Sequence, residues 1–100
     1  MTRETNYYIE QIKDIVLKKL VGYDAQVYFF GSRAKNKAHS RSDVDLAILP
    51  KMPLPHFLIA EICDALEESN IPYQVDIVDL SHSDEKFRTK VLIEGIKWKD

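Results

Sequence analysis

The stretch GSRAKNKAHSRSDVDLAIL, residues 31–49, decides the fold because it joins a glycine turn to two aspartates on an apolar strand. The run VYFF (27–30) before it is aromatic and β-branched, which indicates a buried strand ending at Gly31. Glycine permits a sharp turn at that point. If a helix begins at Ser32, its unpaired N–H groups and its dipole favour an anion such as phosphate.

Two carboxylates follow this turn. Ten residues separate Ser32 from Asp43, and Asp45 lies two residues further on. Residues i and i+2 of a strand project from the same face, so both carboxylates aim at one point. Like charges that close repel each other unless a cation lies between them, and hard oxygen ligands select Mg²⁺ or Mn²⁺. The spacing therefore predicts a divalent metal site.

The rest of the chain alternates between helical and strand patterns. We predict, in order, a helix over 8–20 ended by Gly22, a strand over 26–30 and a strand over 43–49. A helix over 54–69, stopped by Asn70 and Pro72, and a strand over 73–80 follow. The last elements are a helix capped by Ser83 and closed by Gly95, and a short edge strand within 96–100. Residues 46–49 are apolar on both faces, as in a central strand. This order predicts an α/β (α+β) class with a small mixed sheet flanked by helices.

Composition narrows the class of protein. One hundred residues, of which 45% are apolar and 30% charged, predict one soluble domain over 1–100 without a membrane span. The polar N-terminus does not resemble a signal peptide, so we expect a cytoplasmic protein. A net charge of −2 argues against strong nucleic-acid binding. The single cysteine, Cys63, lies among apolar residues of a predicted helix and is expected to pack there.

The Gly-Ser turn, the ten-residue interval and the Asp-x-Asp pair together resemble the nucleotidyltransferase superfamily of the DNA polymerase beta type, in particular its minimal stand-alone members. That family carries a third carboxylate on a neighbouring strand. Asp76, within YQVDIVDL, is the matching position. Spacing alone does not place Asp76 beside the strand of Asp43, so that adjacency comes from the resemblance. Asp79 is expected to be a solvated or capping carboxylate.

The resemblance implies transfer of a nucleoside monophosphate from ATP to an acceptor hydroxyl, with two Mg²⁺ ions, or Mn²⁺, as cofactors. It implies three catalytic and metal-binding residues, Asp43, Asp45 and Asp76, and three nucleotide-binding residues, Gly31, Ser32 and Arg33. Asp43 and Asp45 would hold the ion on the triphosphate, while Asp76 would serve the acceptor side. No residue that reads the base is recognisable.

The resemblance also implies a partner. Minimal members are commonly paired with a small helical protein of the HEPN type, a ribonuclease toxin. The nucleotidyltransferase is then the antitoxin, which resembles an enzyme that adenylylates a tyrosine of its partner.

Other interpretations of the same residues stay open. The Gly-Ser pair is also compatible with an ordinary turn, and Asp43 with a strand boundary. The basic residues that follow Arg33 are more simply a solvated segment, and at Lys35 and Asn36 the chain departs from the arginine and glycine frequent in the family. A non-catalytic nucleotide-binding protein that neutralises a helical partner is the main alternative function. A glycosyltransferase with an Asp-x-Asp motif is a weaker one, because the chain is short for that fold.

Overall fold

The computed structural model describes residues 3–31 and 44–99. In these ranges the chain forms α1 (Arg3–Lys19), β1 (Ala25–Phe30), β2 (Val44–Pro50), α2 (Leu58–Glu68), β3 (Val75–Asp79), a 3-10 helix (Leu80–His82), α3 (Glu85–Glu94) and β4 (Ile96–Lys99). No helix in this part of the chain is both long and apolar enough to cross a membrane.

The four strands form one mixed sheet in the order β3-β2-β1-β4. β1 is antiparallel to both β2 and β4, whereas β2 and β3 are parallel and are connected through α2. A parallel pair needs such a crossover connection. The predicted mixed sheet with flanking helices is therefore confirmed, as are the central place of β2 and the edge strand near the C-terminus.

The sheet has an apolar layer on each face because successive side chains of a strand point to opposite sides. One face of the sheet packs against α1 and α2. The buried residues on this side include Val27, Phe29, Val44, Leu46 and Ile48 from the sheet, Ile12, Val16 and Leu20 from α1, and Leu58, Ile62 and Leu66 from α2. A smaller cluster on the opposite face joins Tyr28 and Ala47 to Leu80 of the 3-10 helix and Val91 of α3. We call this second side of the sheet the α3 face.

Three predicted helix starts were wrong. α1 begins at Arg3 and not at residue 8, because the mostly polar residues before Tyr8 show no apolar period although they are helical. α2 begins at Leu58 and not at Leu54, because Pro55 restricts the residue before it to extended conformations and its carbonyl accepts the Leu58 N–H at 3.1 Å. Asp84, not Ser83, caps α3 by accepting the Phe87 N–H at 2.8 Å.

The residues predicted to end the helices are confirmed. Gly22 (φ 89°) and Asn70 (φ 61°) adopt the left-handed conformation just after α1 and α2. Gly95 ends α3 with an ordinary φ of −75°, and what requires glycine there is space. A Cβ at Gly95 would lie 2.6 Å from the Val91 carbonyl oxygen and 3.3 Å from the Tyr28 Cβ. The absence of a side chain lets the chain turn directly from α3 into β4.

Candidate active site

Two of the predicted carboxylates lie side by side on the sheet. Asp45 of β2 is in register with Asp76 of β3, so both side chains project from one face. It is the α3 face, because Ala47 and Val78, two residues further along each strand, belong to the cluster on that side. Neighbouring strands are about 4.8 Å apart, which puts two carboxylates within reach of one ion. The predicted adjacency of Asp76 to the strand of the Asp-x-Asp pair is confirmed.

The two carboxylates differ in their access to water. Asp45 is half-buried in a central strand, whereas Asp76 is exposed on the edge strand β3. A molecule arriving from solvent therefore meets Asp76 first. Asp45 lies further in, between β3 and the turn after β1.

Gly31 brings the backbone of this turn against Asp45. Its φ of 86° is in the left-handed region, and a Cβ built on it would collide with Asp45 Oδ2 and lie 3.2 Å from Asp45 Cγ. Glycine is thus required at this position for two reasons, the backbone angle and the nearby carboxylate of Asp45. The predicted glycine turn and the carboxylate pair meet at one end of the sheet.

The other predicted site residues, Ser32, Arg33 and Asp43, lie outside the described residues, as do Lys35 and Asn36. Within 3–31 and 44–99, no group of three or more potential ligand side chains forms a metal site. The donors that are described, two carboxylates in register, are oxygen ligands of the kind that Mg²⁺ prefers. Their chemistry fits a divalent ion.

Asp79 has a structural role. Its carboxylate accepts the Ser81 N–H at 2.9 Å and the Ser81 hydroxyl at 2.6 Å, which caps the 3-10 helix. The expectation of a capping carboxylate is confirmed. Its position at the far end of β3 also separates it from Asp76.

Cys63 is half-buried on α2. Burial raises the pKa of its thiol, and the charges of Asp64, Glu67 and Asp76 raise it further. A raised pKa keeps the sulfur in the unreactive thiol form at neutral pH, which agrees with the packing role predicted for it. Cys63 also lines a cleft of about 490 Å³ that runs between the end of α2 and the start of β3.

The sequence did not point to an aromatic pair beside Asp45. Phe30, the last residue of β1, is directly opposite Asp45 in the antiparallel register and shares its face. The Phe30 ring meets the ring of Phe87, from the first turns of α3, edge to face at 5.7 Å and 79°. Strand alternation alone would have placed Phe30 on this face. Phe87 had no comparable signal, because its position depends on how α3 crosses the sheet.

The mixed sheet, with in-register carboxylates on β2 and β3 and a glycine turn after β1, agrees with the class of protein that the sequence resembles, a nucleotidyltransferase of the polymerase beta type. The chain belongs to the polymerase beta nucleotidyltransferase family, whose family model matches residues 10–98. It is 41% identical over 73 residues to a Haemophilus influenzae protein named probable protein adenylyltransferase MntA. That match covers 73% of this chain and 63% of the relative, so the chain spans less than two thirds of the relative's length.

Two solved structures share the fold. One, provisionally described as a minimal nucleotidyltransferase, superposes with a TM-score of 0.72 at 30% identity, over 96% of this chain and 95% of the other. The second belongs to a complex of a tri-AMPylated Shewanella oneidensis HEPN toxin with an MNT antitoxin. It has a TM-score of 0.65 at 22% identity and covers 93% of this chain and 70% of that chain.

Proposed function

We propose that this chain is a Mg²⁺-dependent nucleotidyltransferase that transfers AMP from ATP to a hydroxyl, and that the acceptor is a tyrosine of a helical HEPN ribonuclease toxin. In this role the chain is the antitoxin of a cytoplasmic toxin–antitoxin pair. The observation that carries the proposal is the register of Asp45 with Asp76 beside the Gly31 turn. The names of the adenylyltransferase relative and of the toxin complex support the choice of nucleotide and acceptor.

The carboxylates would hold the metal. Asp45 and Asp76, together with Asp43 two residues before Asp45, would bind one or two Mg²⁺ ions at the end of the sheet. The bound metal supplies positive charge to the phosphates during transfer. Mn²⁺ has the same preference for oxygen ligands and would substitute.

The remaining roles fall to residues of the chain itself. AMP transfer places negative charge on the α-phosphate and on the departing pyrophosphate. Gly31 lets the backbone approach the phosphates closely, and Ser32 and Arg33 would donate hydrogen bonds to the terminal phosphates. Asp76, the exposed carboxylate, would accept the proton that the acceptor hydroxyl releases.

The exposure of Asp76 to solvent favours a large acceptor. Asp76 lies on the edge strand β3 and is exposed, so an acceptor carried by another protein can reach it without entering a deep pocket. Docking of that protein would exclude water from the site and orient the hydroxyl toward the α-phosphate. Such positioning contributes on the order of 7–11 kcal/mol in favourable reactions.

The direct test mixes this chain with its helical HEPN partner, ATP and Mg²⁺, and measures the intact mass of both proteins. We expect one or more AMP groups on the partner and none on this chain. A partner variant with phenylalanine in place of the modified tyrosine is the control and should stay unmodified. If the partner binds and is inhibited without gaining mass, the chain is a non-catalytic binding protein. Modification of a small-molecule hydroxyl instead would overturn the choice of acceptor only.

Gly31→Ala tests the contact between the turn and Asp45. The added Cβ would displace the Asp45 carboxylate, so we expect Mg²⁺-dependent ATP binding to weaken on the order of tenfold. Gly22→Ala is a matched control, because Gly22 has nearly the same φ (89°) and no atom within 4 Å of an added Cβ. Both variants should lose about 1–2 kcal/mol of stability from the left-handed conformation.

Calorimetric titration with Mg²⁺-ATP and chemical denaturation of both variants provide the two measurements. Only Gly31→Ala should lose ATP affinity. Equal affinities in the two variants would show that this contact does not shape the nucleotide site.

A further inference from the structure

We propose that Phe87, supported by Phe30, is the surface on which the base of the donor nucleotide packs. This inference rests on the proposed function and assigns the base-binding element that the sequence did not reveal. Phe30 lies opposite Asp45 on the α3 face, and the Phe87 ring packs against it at 5.7 Å. Both rings are only half-buried, so part of each remains accessible beside the carboxylates.

The order of the strands separates a donor side from an acceptor side. At one level of the sheet, Asp76 of β3, Asp45 of β2 and Phe30 of β1 follow one another across the α3 face. The exposed Asp76 marks the acceptor side in the proposed reaction. The aromatic pair lies on the opposite side of Asp45, and this is the side to which the proposal assigns the base of the donor nucleotide.

The chemistry of the surface matches the two ends of a nucleoside triphosphate. The triphosphate needs the metal that Asp45 would hold, and the flat base needs an apolar surface on which to stack. Phe30 and Phe87 adjoin the apolar cluster on the α3 face and provide such a surface next to the metal site. An acceptor tyrosine would need the same kind of contact, but on the side of Asp76.

The Phe87 backbone is held firmly. Its N–H donates to the Asp84 carboxylate at 2.8 Å, which makes it part of the cap of α3. The next residue, Arg88, donates from Nε to the Leu80 carbonyl at 3.1 Å and from Nη2 to the Ser83 carbonyl at 3.4 Å. These hydrogen bonds join the start of α3 to the 3-10 helix and so fix the backbone that carries the Phe87 ring. A preorganised ring loses little entropy when it binds a ligand.

The test compares two probes, Mg²⁺-ATP and Mg²⁺-tripolyphosphate, the second of which has no base. Titration calorimetry gives both affinities for the wild type, Phe87→Leu and Phe87→Tyr. We expect Phe87→Leu to weaken ATP binding about five- to tenfold and to leave tripolyphosphate binding within about twofold. Phe87→Tyr keeps an aromatic ring and should bind ATP nearly as the wild type does.

Val91→Ala controls for loosening of α3. Val91 is buried one turn after Phe87 on the same helix and contributes to the cluster of Tyr28, Ala47 and Leu80. It should lose stability without a change in the ratio of the two affinities. The proposal is overturned if Phe87→Leu weakens both probes equally or neither. A wild type that fails to bind Mg²⁺-ATP would instead overturn the proposed function itself.

Discussion

Asp45→Asn is expected to lower the rate of AMP transfer on the order of 10²–10³-fold, which is the scale of losing one preorganised electrostatic group in an active site. The substitution keeps the shape of the side chain and removes the negative charge that a divalent ion requires. Because Asp45 is half-buried between Gly31 and the in-register Asp76, water cannot simply replace a ligand held in that geometry. The affinity for Mg²⁺-ATP should fall as well.

The measurement is single-turnover transfer of α-labelled ATP to the helical partner, together with calorimetric titration of Mg²⁺-ATP. Asp24→Asn is a suitable control, because Asp24 is exposed and its ion pair with Lys51 spans 4.0 Å on the surface. That variant should retain activity and nucleotide affinity. If Asp45→Asn binds Mg²⁺-ATP as tightly as the wild type, Asp45 is not a ligand of the nucleotide-bound metal.

Local patterns in the sequence predicted much of this site. The apolar run 46–49 predicted a central strand, and the glycine after an aromatic strand predicted the turn. These two inferences succeed because each depends on the geometry of a few consecutive residues, such as the two-residue period of a strand. The prediction that Asp43 shares the face of Asp45 lies outside the described residues.

The adjacency of Asp76 depends on how distant segments pair. β2, α2 and β3 form a strand–helix–strand unit, and such strands often pair in parallel but need not be neighbours. A one-residue change of register would also have moved Asp76 to the opposite face. The spacing of residues along the chain shows neither that the two strands are neighbours nor what their register is. The family resemblance was therefore needed to predict that Asp76 lies beside the strand of Asp45.

The errors at helix starts and the missed aromatic residue have similar causes. Ser83 and Asp84 can both cap a helix, and Ser83 is instead the C-terminal cap of the preceding 3-10 helix: its hydroxyl donates to the Leu80 carbonyl at 2.9 Å. α3 also leaves Leu92 and Ile93 exposed, so its apolar residues do not identify one buried face. The position of Phe87 over the sheet follows from packing and not from periodicity.

Asp76→Asn is expected to separate binding from chemistry. It should retain most of the affinity for Mg²⁺-ATP, because Asp43 and Asp45 would hold the ion on the triphosphate. Transfer to the acceptor should fall on the order of 10²-fold or more, since the substitution removes both a ligand on the acceptor side and a group able to take the acceptor's proton. The exposed position of Asp76 on an edge strand makes a folding defect a poor explanation for that loss.

Asp79→Asn is the matched control, because it changes a carboxylate on the same strand whose hydrogen bonds to Ser81 an asparagine oxygen can also accept. It should transfer AMP at the wild-type rate. The two variants are compared by single-turnover transfer, with calorimetry to confirm that both still bind Mg²⁺-ATP. Near wild-type transfer by Asp76→Asn would make that residue structural. A loss in Asp79→Asn instead would move the acceptor-side role to the far end of β3, where the 3-10 helix begins.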